Sequence, residues 1–436
     1  MQFTTEQILA LAPDAASAKA GQGLANARHW VTLGSDEQTV WGECQGSGKN
    51  PYQTQIDLSE PAFKCSCPSR KFPCKHGLGL LLLFANQTQQ FKSAAQPAWV
   101  SDWFASRTKR AEQKAERTAK QAEEIADPTA QAKRAASREA KVTAGVRELE
   151  LWLYDLLRNG LASPQVQEHK FWETPAKRMI DAQAPGLARL LQLAATQRIG
   201  GTAGYERMLR QLAKVHLLIE GYKRLETLPA ETQADLRTLI GWTQNQDELL
   251  QQSGFKDKWF VLGQRVTEED RLHVQATWLR GVTTRRDAVL LQYAHGSQPL
   301  DASWLIGSAL EAELVFFASA YPLRALVKER GALVPDSTPT ATTIAEAMAG
   351  YAAALAWHPW LERFPLLLEN VIPLRQGERW SVCDAAQHHL PLAANFAREW
   401  ELLALSGGHP VQLFGEWDGE ALLPLSLWAD GTFVNL

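Results

Sequence analysis

Cysteine is scarce in this 436-residue chain: there are five, and three fall within one ten-residue stretch. That excludes a disulfide-stapled scaffold and suits a reducing compartment with a single metal site. Long hydrophobic runs are missing too. The longest, residues 78–85, is far short of the roughly 20 residues needed to cross a bilayer, so no membrane-spanning helix is predicted. Basic charge is not in excess. A formal net charge of −3 excludes a general nucleic-acid packager and confines any nucleic-acid contact to a local patch. Residues 1–10 carry Glu6 and lack a basic stretch followed by an apolar one, which predicts no secretory leader and a cytoplasmic protein. No carboxylate pair, Ser-His-Asp order, dinucleotide fingerprint or repeat period can be assigned, so the chain is not expected to be an enzyme.

What is present is a metal-ligand constellation. Cys65-Ser66-Cys67-Pro68 is followed by Pro73-Cys74-Lys75-His76, four ligands within twelve residues. Zinc takes thiolates and imidazole in a tetrahedron, and a Cys3His set fills all four positions. Residues two apart in an extended chain point the same way, so Cys65 and Cys67 face one ion. Cys74 and His76 return over it at the start of a helix. With no position left for substrate or water, the one Zn2+ is expected to be structural. Iron–sulfur ligation fits neither the histidine nor the spacing.

Around this motif, residues 29–33, 39–44 and 52–58 read as short strands between Gly, Ser, Asn and Pro turns. Residues 77–86 read as a very apolar helix, and Trp99, Trp103 and Phe104 fall at helical spacing. From 107 to 141, ten basic and six acidic residues accompany a single large apolar residue, Ile125. Nothing there can bury a core, and Pro128 is expected to interrupt it. Leu149, Trp152, Leu153, Leu156 and Leu157 then recur at i, i+3, i+4, i+7 and i+8, one buried helical face. After about residue 255 the pattern turns to strands at 259–264, 272–280, 288–294 and 313–319. A helix at 342–357 precedes a hairpin of 411–417 and 421–428 around Asp418-Gly419, and 432–436 forms a last strand.

The ligand motif, with Gly46-Ser47-Gly48, Pro51-Tyr52 and the Leu-rich helix after His76, resembles the SWIM zinc finger of bacterial proteins, over about residues 25–90. Trp152-Leu153-Tyr154-Asp155 and Arg158-Asn159-Gly160-Leu161-Ala162 resemble the long bacterial members. The resemblance implies a ββα-like zinc unit that binds nucleic acid or protein. The whole then reads as α+β: a zinc-finger domain at 1–104, a charged, partly helical linker at 105–145, a helical domain at 146–250 and an α+β, β-rich domain at 251–436.

Other candidates carry less. Gly46-Ser47-Gly48-Lys49 is no phosphate loop, because Glu43 stands where Gly is required and Asn50 where Ser or Thr is; a hairpin turn is expected. Cys44 and Cys383 read as small hydrophobes with no base adjacent in the sequence. His388-His389 reads as surface, His216 as a packed histidine, and Glu268-Glu269-Asp270 as a solvated turn. Most of the sixteen tryptophans should fill cores, with Trp357 and Trp360 as candidates for a recognition surface.

Two partners stay open. Lys64, Arg70, Lys71 and Lys75 surround the metal motif, with Phe72 available to stack on a base, which points to DNA or RNA. The absence of basic stripes beyond the finger suits a protein-interaction adaptor instead. On the family resemblance, its partners would be a MoxR-type AAA+ ATPase or a von Willebrand A domain protein.

Overall fold

A computed structural model describes residues 5–12, 15–46, 50–58, 62–69, 71–93, 95–106, 128–197, 201–269, 272–295, 300–301, 303–334 and 338–436. Elements are numbered in chain order.

The first unit is built on five strands: β1 (Trp30–Ser35), β2 (Thr39–Cys44), β3 (Tyr52–Asp57), β4 (Ala62–Cys65) and the short β5 (Lys92–Ser93), ordered β4-β3-β2-β1-β5. The expected 39–44 strand has those bounds. β2 and β3 form the expected hairpin, ending on the Cys44↔Tyr52 pair; residues 47–49 of its turn lie outside the described residues. Helices α1 (Thr5–Ala10) and α2 (Ala15–Leu24) accompany α3 (Lys75–Asn86). Leu78, Leu80, Leu81, Leu82 and Leu83 of α3 are all 1% exposed or less. A helix apolar all round must be enclosed, here between the sheet and the first two helices. Gly79 allows it, since a Cβ there would stand 2.7 Å from that of Leu24. α4 (98–106) follows, with Val100 and Trp103 buried, and Gln55 of β3 donates to Trp99 O at 3.4 Å.

The middle region is helical: α5 (Pro128–Asn159), α6 (His169–Asp181), α7 (Pro185–Thr196), α8 (Gly201–Lys223), α9 (Ala230–Ile240) and the short α10 (Gln246–Leu250). Pro128 is the first residue of α5; residues 107–127, the part of the stretch before it, lie outside the described residues. At a first helical position its missing N–H costs nothing and its fixed φ fits. Val142 is fully buried, so the packed bundle begins inside the stretch read as linker. Leu149, Leu153 and Leu156 form the expected face, but Leu157 is 45% exposed. At i+8 it has rotated about 80° from Leu149, off the stripe.

The C-terminal region holds two sheets. In the first, β6 (Phe255–Glu269), β7 (Leu272–Gly281), β8 (Asp287–His295), β9 (Ala309–Phe316) and β10 (Ala325–Val334) are ordered β10-β9-β6-β7-β8. A parallel Val289↔Arg324 bridge joins the outer strands, with Val289 N–H donating to Leu323 O at 2.8 Å, so the five strands close into a barrel. Trp259, Val261, Leu279, Leu310 and Leu314 fill its interior. Phe260, Leu262 and Trp278 point outward into a second core. That core is shared with β11 (Phe364–Gln376), β12 (Arg379–Cys383), β13 (His389–Pro391), β14 (Val411–Trp417), β15 (Leu422–Ala429) and β16 (Thr432–Asn435), ordered β13-β12-β11-β14-β15-β16. α11 (Ile344–Trp357), started by a Thr343–Glu346 capping box, and α12 (Glu399–Ser406) complete it. Glu416, 1% exposed, ties barrel to sheet by accepting from Arg265 Nε at 2.6 Å and Trp278 Nε1 at 2.7 Å.

The units share cores. Leu305, from the β8–β9 connection and 2% exposed, belongs to the hydrophobic core of the first unit, and Leu333 packs against it. Trp360 lies in the bundle core and donates Nε1–H to Lys214 O at 2.9 Å, so it is no recognition surface; Trp357 is 68% exposed. No helix among the described residues is long and apolar enough to cross a membrane.

Candidate metal centre

Each ligand is positioned by an element of the first unit. Cys65 ends β4 opposite Thr54 of β3. Ser66 then stays tied to β3, donating its N–H to Gln53 O and accepting Gln53 N–H at Oγ, both at 2.9 Å. That keeps the chain extended so that Cys67 follows Cys65 to the same side. Cys74 is the N-cap of α3, and His76 is its second residue. The four ligand atoms lie within 4.8 Å of one another.

The spacing fits zinc. A tetrahedron with Zn–S of about 2.3 Å and Zn–N of about 2.0–2.1 Å places S and N about 3.6 Å apart. Cys65 Sγ and Cys74 Sγ stand 3.7 and 4.0 Å from His76 Nδ1. Cys74 and His76 are buried, at 7% and 5% exposure, and Cys65 and Cys67 are half-buried. Around the ligands, Thr54 Oγ1 lies 3.1 Å from Cys65 Sγ, and the Tyr52 ring packs on His76 with centroids 5.0 Å apart. Backbone N–H groups of Cys67, Ser69 and Gly77 point at the sulfurs of Cys65, Cys67 and Cys74. Such donors, and the start of a helix behind Cys74, favour thiolates.

The Cys74 thiol is drawn down to about 4, first by its hydrogen bond with Cys65 and then, against burial, by His76 and the Gly77 N–H. Cys65 is pushed up by the same bond and by burial, and burial raises Cys67. Among themselves the thiols favour one thiolate, at Cys74. A divalent cation stabilises all three, so these side chains hold one structural zinc ion with every coordination position filled by protein.

The basic residues named from sequence flank this centre. Lys64, on β4 beside Cys65, and Lys71 and Lys75 are exposed. Phe72 is 37% exposed while its ring meets buried Phe63 edge-on at 6.2 Å. Arg70 lies outside the described residues.

Elsewhere, Cys44 is fully buried and its thiol is raised to about 11 by burial, the behaviour of a small hydrophobe. Cys383 has no base next to it in the sequence, but it gains one in space. The β12–β13 pairing sets His389 Nε2 3.5 Å from its sulfur, a neighbour six residues away that only strand register reveals. Burial and the Asp384 carboxylate nevertheless push that thiol up, away from a nucleophile. His388 is occupied by Asp384 at 2.9 Å. His216 is half-buried against Tyr154. Glu268 and Glu269 extend the β6–β7 ladder opposite His273 and Leu272, rather than forming the turn expected there; residue 270 lies outside the described residues.

Comparison with known families agrees with this geometry. Residues 52–84 match the SWIM zinc finger, a span that starts with β3 and ends inside α3. Residues 137–240 match the SWIM-associated four-helix bundle domain, ending on the last residue of α9. No curated protein and no solved structure matches the chain.

Proposed function

We propose that this SWIM zinc finger protein binds single-stranded nucleic acid along the rim of its structural zinc site. One observation carries the reading: Lys64, Lys71 and Lys75 stand exposed around a closed metal centre, with the partly exposed Phe72 ring among them. Zinc ties the end of β4 to the start of α3 and so holds the loop between them. The lysines suit phosphates, and Phe72 suits a base stacked on its open face. Arg70, in the same loop, adds a fourth positive charge. A filled coordination sphere supports a binding role over a catalytic one, and five cysteines held in no disulfide support a reducing, cytoplasmic setting.

The test is affinity for labelled DNA and RNA strands across a salt series. Changing Lys64, Lys71 and Lys75 to Ala should flatten the log–log salt dependence by about 2, at about 0.7 per lost phosphate contact. Unchanged affinity and slope, with zinc still bound, would refute the proposal.

A protein partner is the second reading, and exposed apolar side chains on the bundle favour it. Leu151 of α5 is 65% exposed and Leu209 of α8 is 50% exposed. On family resemblance the partner would be a MoxR-type AAA+ ATPase or a von Willebrand A domain protein. Leu151→Ser with Leu209→Ser should then abolish co-elution with the purified partner while nucleic-acid affinity is unchanged.

A further inference from the structure

The connectivity of the C-terminal barrel points to a second site. β6 is shared by β7 and β9, β9 leads to β10, and β10 returns in parallel to β8. That is the partly open, five-stranded Greek-key barrel of the OB architecture, which holds oligonucleotides or oligosaccharides on the face of its second and third strands. Here those strands are β7 and β8, and much of their outer face is already covered. Ala276, Trp278 and Val289 lie in the core shared with the second sheet. Fold alone therefore carries no ligand, and a site has to be argued from its own residues.

The β8–β10 closure is a single bridge. Beside it lies a cavity of about 170 Å³, floored by Gln275, Thr277 and Gln292, bounded by Asp301 and Trp304 and walled by aliphatic residues of β8 and β10. Gln275, 6% exposed, donates Nε2–H to Asp301 O at 2.9 Å. Gln292 Oε1 accepts the Asp301 N–H, and Asp301 Oδ1 accepts the Ser303 N–H at 2.8 Å. Arg330 braces the same loop, stacking over Trp304 at 4.7 Å and donating to Ser303 O. Among the described residues, Gln275 Oε1, the Gln292 amide N–H and Asp301 Oδ2 have no protein partner.

Two acceptors, one of them anionic, thus stand near one amide donor. The volume is below the roughly 300 Å³ at which drug-sized pockets begin, so one ring system fits. Guanine suits this set: its N1–H and N2–H can face the carboxylate while O6 accepts from the Gln292 amide. Adenine would turn the N1 lone pair toward acceptors, cytosine its N3 and O2, and uracil or thymine offers a single donor. We infer that this cavity receives one unstacked guanine of a nucleic-acid strand. The inference rests on the nucleic-acid reading above and adds a base preference to it.

The experiment uses the full-length, zinc-loaded protein and three labelled strands: oligothymidylate, the same strand with one central guanine, and the same with hypoxanthine, which lacks the N2 amine. The guanine strand should bind about tenfold tighter than oligothymidylate, within the range of one bidentate base contact, and hypoxanthine should lose most of that gain. Asp301→Asn, which keeps an oxygen for Ser303 N–H, should erase the preference and leave oligothymidylate binding unchanged. Gln292→Glu, which keeps an acceptor for Asp301 N–H but replaces the amide donor with a negative charge that repels O6, should erase it as well. Equal affinity for all three strands overturns the guanine site and leaves the basic rim standing. Free guanosine separates the two ideas: its binding, sensitive to Asp301→Asn, in a protein whose salt dependence ignores the lysines supports the cavity and sinks the rim. Tighter, Asp301-dependent binding of a neutral oligosaccharide than of guanosine overturns the cavity as a base site.

Discussion

Replacing Leu305 with alanine tests whether the zinc unit stands by itself. Leu305 leaves the barrel at the β8–β9 connection, yet its side chain, 2% exposed, belongs to the core cluster that also holds Ile8, Phe91 and the leucines of α3. Truncation removes three buried carbons, a transfer loss of about 2.4 kcal/mol at about 0.8 kcal/mol each. The cavity left behind raises the cost, within a range of about 2–5 kcal/mol for such changes. At about 3 kcal/mol, openings that expose α3 become roughly a hundredfold more frequent. Amide hydrogen exchange reads this directly, at the amides of Leu80, Leu81, Leu82 and Leu83. They should exchange about a hundredfold faster in Leu305→Ala, in step with faster zinc transfer to a chelator. Unchanged α3 exchange with faster exchange in β9 would refute the shared core and make Leu305 part of the barrel alone.

Glu416→Ala should cost about 3–5 kcal/mol in urea unfolding, because Arg265 and Trp278 Nε1 lose their acceptor at the barrel–sheet junction; Glu416→Gln, which can still accept from Trp278, should cost less. Burial holds His358 below the ordinary histidine value, against the opposing pull of Asp235 at 3.5 Å. The unfolded chain therefore takes up the proton more readily, and this contribution is complete above the unfolded value of about 6.5 and lost as pH falls through it toward the folded value. Wild-type melting temperature should accordingly drop more steeply below about pH 6.5 than that of His358→Gln, and parallel profiles would count against the argument. Cys74→Ser should abolish the one bound zinc, measured as metal per chain, and expose residues 62–83 to protease while 137–240 stay protected. Simultaneous digestion of the whole chain would show that the bundle depends on the metal.

The zinc site was legible because it is local. Its ligands lie within twelve residues, and the strand-end, loop and helix-start that hold them are short-range devices. The same holds for the buried face of Leu149, Leu153 and Leu156, which one helical period dictates. β10 was not legible, since the run Lys328-Glu329-Arg330-Gly331 hides its strand character. Neither was β11, which carries Pro365 and Pro373. Proline argues against a strand, yet β11 pairs with β14 over its first part and with β12 over its second, so neither ladder must run its full length. Cys383 and His389 met only through register, and Leu305, Trp360 and Glu416 acquired their roles from partners far away in the chain. Residue chemistry and short-range periodicity determined the metal, its ligands and the order of helical and β-rich regions. Barrel closure, the sharing of cores between units and the cavity beside β8 were decided by tertiary structure, because pairing and burial between distant segments depend on which surfaces meet, and no local pattern encodes that.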